Sequence, residues 1–195
     1  MDQYSDVLRR APWLPGWGNH EYLEEDRGNR LATITRGMIH ELRQQKRKSK
    51  SLNDATNRMA YSIDVGMLHV LHLDLSPYWC SFSGCIGVDT CGFPDEWVVN
   101  ASSSNPDTRY DFAGYREAQL KFARADLAAV DRQTTPWVIM TAHYPLYDTM
   151  VASDSSSRRR READYGAQGA GGLGDASKAQ AIADFEPLLA EFAVD

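Results

Sequence analysis

Thr135-Pro136-Trp137-Val138-Ile139-Met140-Thr141-Ala142-His143-Tyr144-Pro145 is the stretch on which the reading of the fold turns. Its apolar centre, Trp137–Thr141, reads as a buried-type strand, with Pro136 closing the loop before it. Just upstream, Tyr115 to Arg132 sets Leu120, Ala123, Leu127 and Val130 along one stripe, the pattern of an amphipathic helix. A helix that hands the chain to a buried strand is the repeating unit of an α/β fold. His143 then stands where the strand gives way to a loop.

Working outward, a second polar cluster occupies the same kind of position near the start of the chain. Gly18-Asn19-His20-Glu21 follows the apolar-rich run Ala11-Pro12-Trp13-Leu14-Pro15, and Trp13–Trp17 reads as a short strand feeding that loop. An Asn carboxamide oxygen and a His imidazole on two strand exits are donors suited to a divalent cation. A second His beside the Asn can then donate a proton or stabilise charge without being a ligand.

The rest of the chain supports alternation of helix and strand. Residues 2–11 read as the end of a helix, and Arg30 to Gln45 as another, with Leu31, Ile34, Met38, Ile39 and Leu42 near helical spacing. The helix runs into a basic, solvated loop, Gln44 to Lys50. Met59 to Ile63 and Met67 to Leu75 read as two strands around a Val65-Gly66 turn. His69 and His72, three positions apart on one strand, point to opposite faces and cannot share a metal. Both are read as structural, and His40 carries no role. Ser76 to Asp111 reads as an irregular loop. Val151 to Ala176, with its serine run, Arg158–Arg161 and glycines, reads as a flexible surface loop. Ser177-Lys178-Ala179-Gln180 reads as a capping box opening a last helix, with Ile182, Phe185, Leu189 and Phe192 as its stripe and a kink or restart at Pro187.

Composition narrows the classes. At 195 residues, 43% hydrophobic and 25% charged, the chain is long enough for one globular domain with a sizeable core. A formal charge of −6 argues against a nucleic-acid partner, whose footprint would be basic. No apolar run approaches the ~20 residues of a membrane span, and no signal-peptide pattern opens the chain. Cys80, Cys85 and Cys91 lack zinc-site spacing, leaving a local disulfide with one odd thiol or three free thiols. Asn100-Ala101-Ser102 is a glycosylation sequon.

Taken together, Gly18–Glu21 and Thr141–Pro145 resemble the motifs of the metallophosphoesterase (calcineurin-like) superfamily, and the surrounding sequence looks like its purple acid phosphatase branch. Tyr61–Gly66 with Leu68–Asp74 resembles that branch's hairpin. Gln119–Arg132 with Thr135–Ile139 resembles its helix and ligand strand, and Phe185–Leu189 with Val194-Asp195 the helix before its last motif. The family's DxG, GDxxY and GHxH motifs are not matched. Asp64-Val65-Gly66 falls after GNHE, out of order for DxG, and Lys178 stands where GDxxY needs a Tyr after Gly174-Asp175.

The resemblance implies a four-layer α/β/β/α sandwich, of which residues 1–195 would be the incomplete central portion. It implies a phosphoric monoester hydrolase with a two-metal centre, Fe with Zn, Mn or Fe, acting on phosphomonoesters. Asn19 and His143 would ligate metal, His20 would be catalytic at the leaving group, and Glu21 and Tyr147 would be supporting or substrate-contacting residues. Arg158–Arg161 could add phosphate contacts. A secreted or lumenal location would follow. With only two ligands visible, the chain alone is expected to be inactive. The competing reading is a non-catalytic relative, or a truncated product, acting as a binding scaffold.

Overall fold

The computed structural model describes residues 14–16, 40, 42–44, 46–47, 52–54, 60–79, 97–104, 106–147 and 175–195. Asn19, His20, Glu21, the three cysteines, the helix expected over 2–11 and residues 151–174 of the expected flexible loop lie outside them.

Tyr61–Val65 (β2), buried over its first three residues and exposed over its last two, and Leu68–His72 (β3) form a hairpin through Gly66 and Met67. Gly66 takes φ of 61°, a left-handed turn conformation that costs a residue with Cβ. Leu52–Asp54 (β1) pairs antiparallel with β2, Leu52 opposite Ile63. Trp137–Thr141 (β4) pairs parallel with β3, Leu68 opposite Trp137 and His72 opposite Thr141. The result is a mixed sheet in the order β1-β2-β3-β4. Beyond the strands, Leu73 N donates to Thr141 O at 2.9 Å, so β3 and β4 leave the sheet together at their carboxyl ends. On the other side of β4, Asp195 N donates to Val138 O at 2.8 Å and its carboxylate accepts from Val138 N at 2.9 Å.

The crossover from β3 to β4 carries Ser76–Trp79 (α1), Pro106–Arg109 (α2) and Phe112–Ala129 (α3). Asp111 caps α3, its carboxylate accepting from Gly114 N at 2.9 Å. Phe112, Tyr115, Gln119, Ala123 and Leu127 are the buried stripe of α3, and Val130 ends it by turning to extended backbone. Asp175–Glu191 (α4) packs beside α1 and α3, with Ala181, Phe185 and Leu188 buried. The core joins these to Leu71, Leu73, Leu75, Tyr78, Val138 and Tyr144.

The α/β reading therefore holds at the level of a mixed four-stranded sheet with helices, and several finer expectations need correction. Leu14–Gly16, the described part of the expected Trp13–Trp17 strand, forms no strand. Pro15 lacks the N–H that a ladder requires. Lys46 and Arg47 are helical, where the basic loop was expected. β1 went unrecognised in the sequence because three polar-flanked residues, Leu52-Asn53-Asp54, carry too little periodicity. The expected irregular loop contains α1 and α2, and an isolated bridge pairs Val98 with Tyr110. β4 is not the buried-type strand expected: among the described residues it lies at the sheet edge, and Trp137 is 57% exposed. α4 begins at Asp175, ahead of the expected capping box and inside the expected loop, so Ser177 lies within the helix. Of the expected kink or restart at Pro187, the restart does not occur: the helix runs through Pro187 to Glu191.

Candidate functional site

His143 follows β4 by two residues. It is exposed, and its ring meets Tyr144 edge-on at 4.8 Å. Tyr144 is buried beneath it, so a packed residue anchors the backbone that presents the imidazole. The strand places His143 at the carboxyl end of the parallel pair β3 and β4, where side chains can converge without interrupting a ladder.

The start of the chain reaches the same end of the sheet. Tyr61 Oη donates to Pro15 O at 3.0 Å, and the Tyr61 ring stacks on His72 at 5.0 Å. His72 Nδ1 and Thr141 Oγ1 lie 3.0 Å apart, joining β3 to the residue two before His143. A Cβ on Gly16 would stand 3.2 Å from His72 Cε1, so glycine lets the backbone lie against the ring. Gly16 precedes Asn19 by three positions. Burial lowers the His72 pKa from 6.5 to about 4, so the ring is neutral at physiological pH. Burial raises the Tyr61 phenol. His72 is thus a packing and hydrogen-bonding element between the two arms.

Of the remaining expected site residues, Tyr147 is 59% exposed, and its hydroxyl bonds to Glu186 of α4. Asn19, His20 and Glu21 fall outside the described residues, so their convergence with His143 stays a proposal. Neither nearby acid substitutes for a ligand at His143. Asp74 follows β3 but is wholly buried on the helical side, accepting from Tyr115 Oη at 3.0 Å and Ser76 N at 2.9 Å. Gln119 completes its fixation: the side chain accepts from Asp74 N at 2.7 Å and donates to Asp74 O at 3.0 Å. Asp64 faces His69 on the same side of the sheet.

A second polar cluster escaped the sequence reading as a cluster, although both histidines were correctly placed on opposite faces. His69 lies between Asp64 Oδ1 at 2.7 Å and Asp126 Oδ2 at 2.8 Å. Ser62 Oγ donates to Asp126 Oδ1 at 2.6 Å, and Asn53 Nδ2 reaches the same oxygen at 3.3 Å. Strands β1, β2 and β3 are thereby clasped to α3. Burial pulls the His69 pKa down, but the two carboxylates outweigh it and the net shift is upward. Asp126 lies 57 residues from His69, and no local spacing in the sequence announces that contact.

No family model matches the chain, and no solved structure matches it. Purple acid phosphatase 22 of Arabidopsis thaliana is 47% identical over 45 residues, 23% of this chain and 10% of the relative. Acid phosphatase A of Cryphonectria parasitica is 34% identical over 89 residues, 46% of this chain and 14% of the relative. An acid phosphatase of Aspergillus ficuum is 31% identical over 104 residues, 48% of this chain and 16% of the relative. The chain thus spans 10% to 16% of the length of these relatives, and over those stretches it is similar to acid phosphatases.

Proposed function

We propose that this chain carries part of a phosphoric monoester hydrolase site of the acid phosphatase kind, built at the carboxyl ends of β3 and β4. The observation that supports it most is the approach of two arms to one rim. Pro15 and Gly16, leading to Asn19, are held against Tyr61 and His72, while Thr141, bonded to His72, leads to His143.

In this reading His143 and Asn19 are donors to one cation. His20 protonates the leaving oxygen or stabilises its charge, a contribution typically of about 10²–10⁴-fold. Glu21 orients its neighbours, and Tyr147, held by Glu186, borders the substrate. A bound metal pair would supply an activated water and neutralise phosphoryl oxygens. The described residues do not make such a centre by themselves. Among them no group of three His, Cys, Asp or Glu side chains stands together to hold an ion. His143 is the one expected ligand they include, and a single imidazole does not hold two mutually repelling cations. The proposed substrate is a phosphomonoester and the proposed setting secreted or lumenal. No described helix is long and apolar enough to cross a membrane.

The test is to purify the chain, load it with iron, zinc or manganese, and follow aryl phosphate hydrolysis at acidic and neutral pH. Turnover barely above the metal-only control is expected, together with weak metal binding that His143→Ala removes. Turnover well above control that Asn19→Ala and His20→Ala abolish would show that other residues complete the centre. Metal binding indifferent to both Asn19→Ala and His143→Ala would overturn the site and favour a binding scaffold.

A further inference from the structure

The loop between the Val98–Tyr110 bridge and α2 holds Asn100-Ala101-Ser102, the one N-x-Ser/Thr sequence without an intervening proline in the chain. Its geometry is defined. Val99 N and Asn100 N both donate to Arg109 O, at 2.7 and 3.2 Å. Ser103 N donates to Asn100 O at 3.1 Å, closing a tight turn, and Arg109 Nη1 donates to Ala101 O at 2.6 Å. Within the turn, Asn100 Oδ1 accepts from Ser102 Oγ at 2.8 Å and from Ser102 N at 3.3 Å. Asn100, Ala101 and Ser102 are all exposed.

These contacts engage the carboxamide oxygen of a residue that is itself exposed. The hydroxyl and the amide, the two groups a sequon offers for recognition, stand side by side on an open turn. Both Ala101 and Ser103 avoid the proline that would stiffen or block it. Val99, just before Asn100, is an exposed apolar side chain that a sugar would partly cover.

We propose that Asn100 is an N-glycosylation site, the acceptor for an oligosaccharide carried on a lipid pyrophosphate. In the transfer, Asn100 Nδ2 forms a bond to the anomeric carbon of the first sugar. The bond from that carbon to the pyrophosphate oxygen breaks, the lipid pyrophosphate leaves with the electron pair, and the amide proton passes to a base of the transferring enzyme. No oxidant or reductant is involved. The assignment is independent of the phosphatase reading and needs only passage of the chain through a lumenal compartment.

The experiment is to express the full chain behind a cleavable secretion leader in a eukaryotic host. Both the secreted and the membrane-enclosed fractions are then mapped by peptide mass, before and after enzymatic glycan release in heavy-oxygen water. Glycan on the peptide containing Asn100, with heavy-oxygen Asp left there on release, is the expected result. Asn100→Gln and Ser102→Ala should lose it completely, and Ser102→Thr, which keeps the hydroxyl, should retain it. Unmodified Asn100 in both wild-type fractions would overturn the proposal, as would glycan persisting on Asn100→Gln.

Discussion

His69 and His72 should give this fold a stability maximum between an acid and an alkaline limb, and each limb belongs to one ring. His69 is 3% exposed and titrates above 6.5 in the folded chain, because Asp126 of α3 and Asp64 of β2 outweigh its burial. Below the unfolded value the proton is bound in both states, and the stabilisation is fully present. As pH rises through the folded pKa it is lost, with a slope of at most about 1.4 kcal/mol per pH unit. His72 behaves in the opposite sense. Burial lowers its pKa from 6.5 to about 4, so its contribution is present above 6.5 and lost as pH falls toward 4. At about 1.4 kcal/mol for each tenfold change in proton affinity, that loss is roughly 3 kcal/mol. Urea unfolding followed by tryptophan fluorescence, from about pH 4 to 9, reads both limbs. His69→Gln should flatten the alkaline limb, and His72→Gln should soften the acid one. Removing the Asp126 carboxylate, only 6% exposed and bonded to His69, Ser62 and Asn53, should cost about 3–5 kcal/mol. Asp64, 49% exposed, should matter by less than about 1 kcal/mol. Wild-type and His69→Gln curves running parallel above pH 6.5 would refute the clasp.

Three further expectations follow from single contacts. Gln119→Ala removes the Gln119 partner of both Asp74 N and Asp74 O, at about 1–3 kcal/mol each, and lowers the unfolding midpoint in denaturant titration. Asp111→Ala removes the α3 cap and should cost about 1 kcal/mol in denaturant titration, with Asp111→Ser recovering most of it. Gly16→Val places carbon against the His72 ring; it should raise proton exchange at the Thr141 and Leu73 amides while Gly66→Asn, at a turn open to solvent, leaves them unchanged.

Elements with internal periodicity were legible in the sequence. The hairpin β2–β3 and the helix α3 announce themselves through alternation and a stripe, and the opposite facing of His69 and His72 follows from strand geometry alone. What escaped depends on contacts between distant segments. Leu52–Asp54 is a strand because Ile63 and Tyr61 pair with it, and Asp126 anchors three strands because α3 packs over them. Trp137 looked buried because its neighbours are apolar; its exposure comes from β4 lying at the edge of the described sheet. The place of His143 just past a strand was legible from the apolar run Trp137–Thr141 before it. The role of His72 as a spacer between the arms was not readable, since it requires Gly16, Tyr61 and Thr141 to meet around one ring.

The most direct measurement of the central claim is a zinc titration of the full chain, followed through the imidazole resonances of His20 and His143 by nuclear magnetic resonance. Asn19→Ala and His143→Ala are titrated in parallel. The account predicts a saturable shift at His143, a smaller one at His20, and none at His69, whose ring nitrogens are both engaged by carboxylates. Asn19→Ala should weaken the binding read at His143, because the two side chains share one ion. A His143 resonance that does not move, or that moves identically with and without Asn19, would contradict the claim that the two arms form one site.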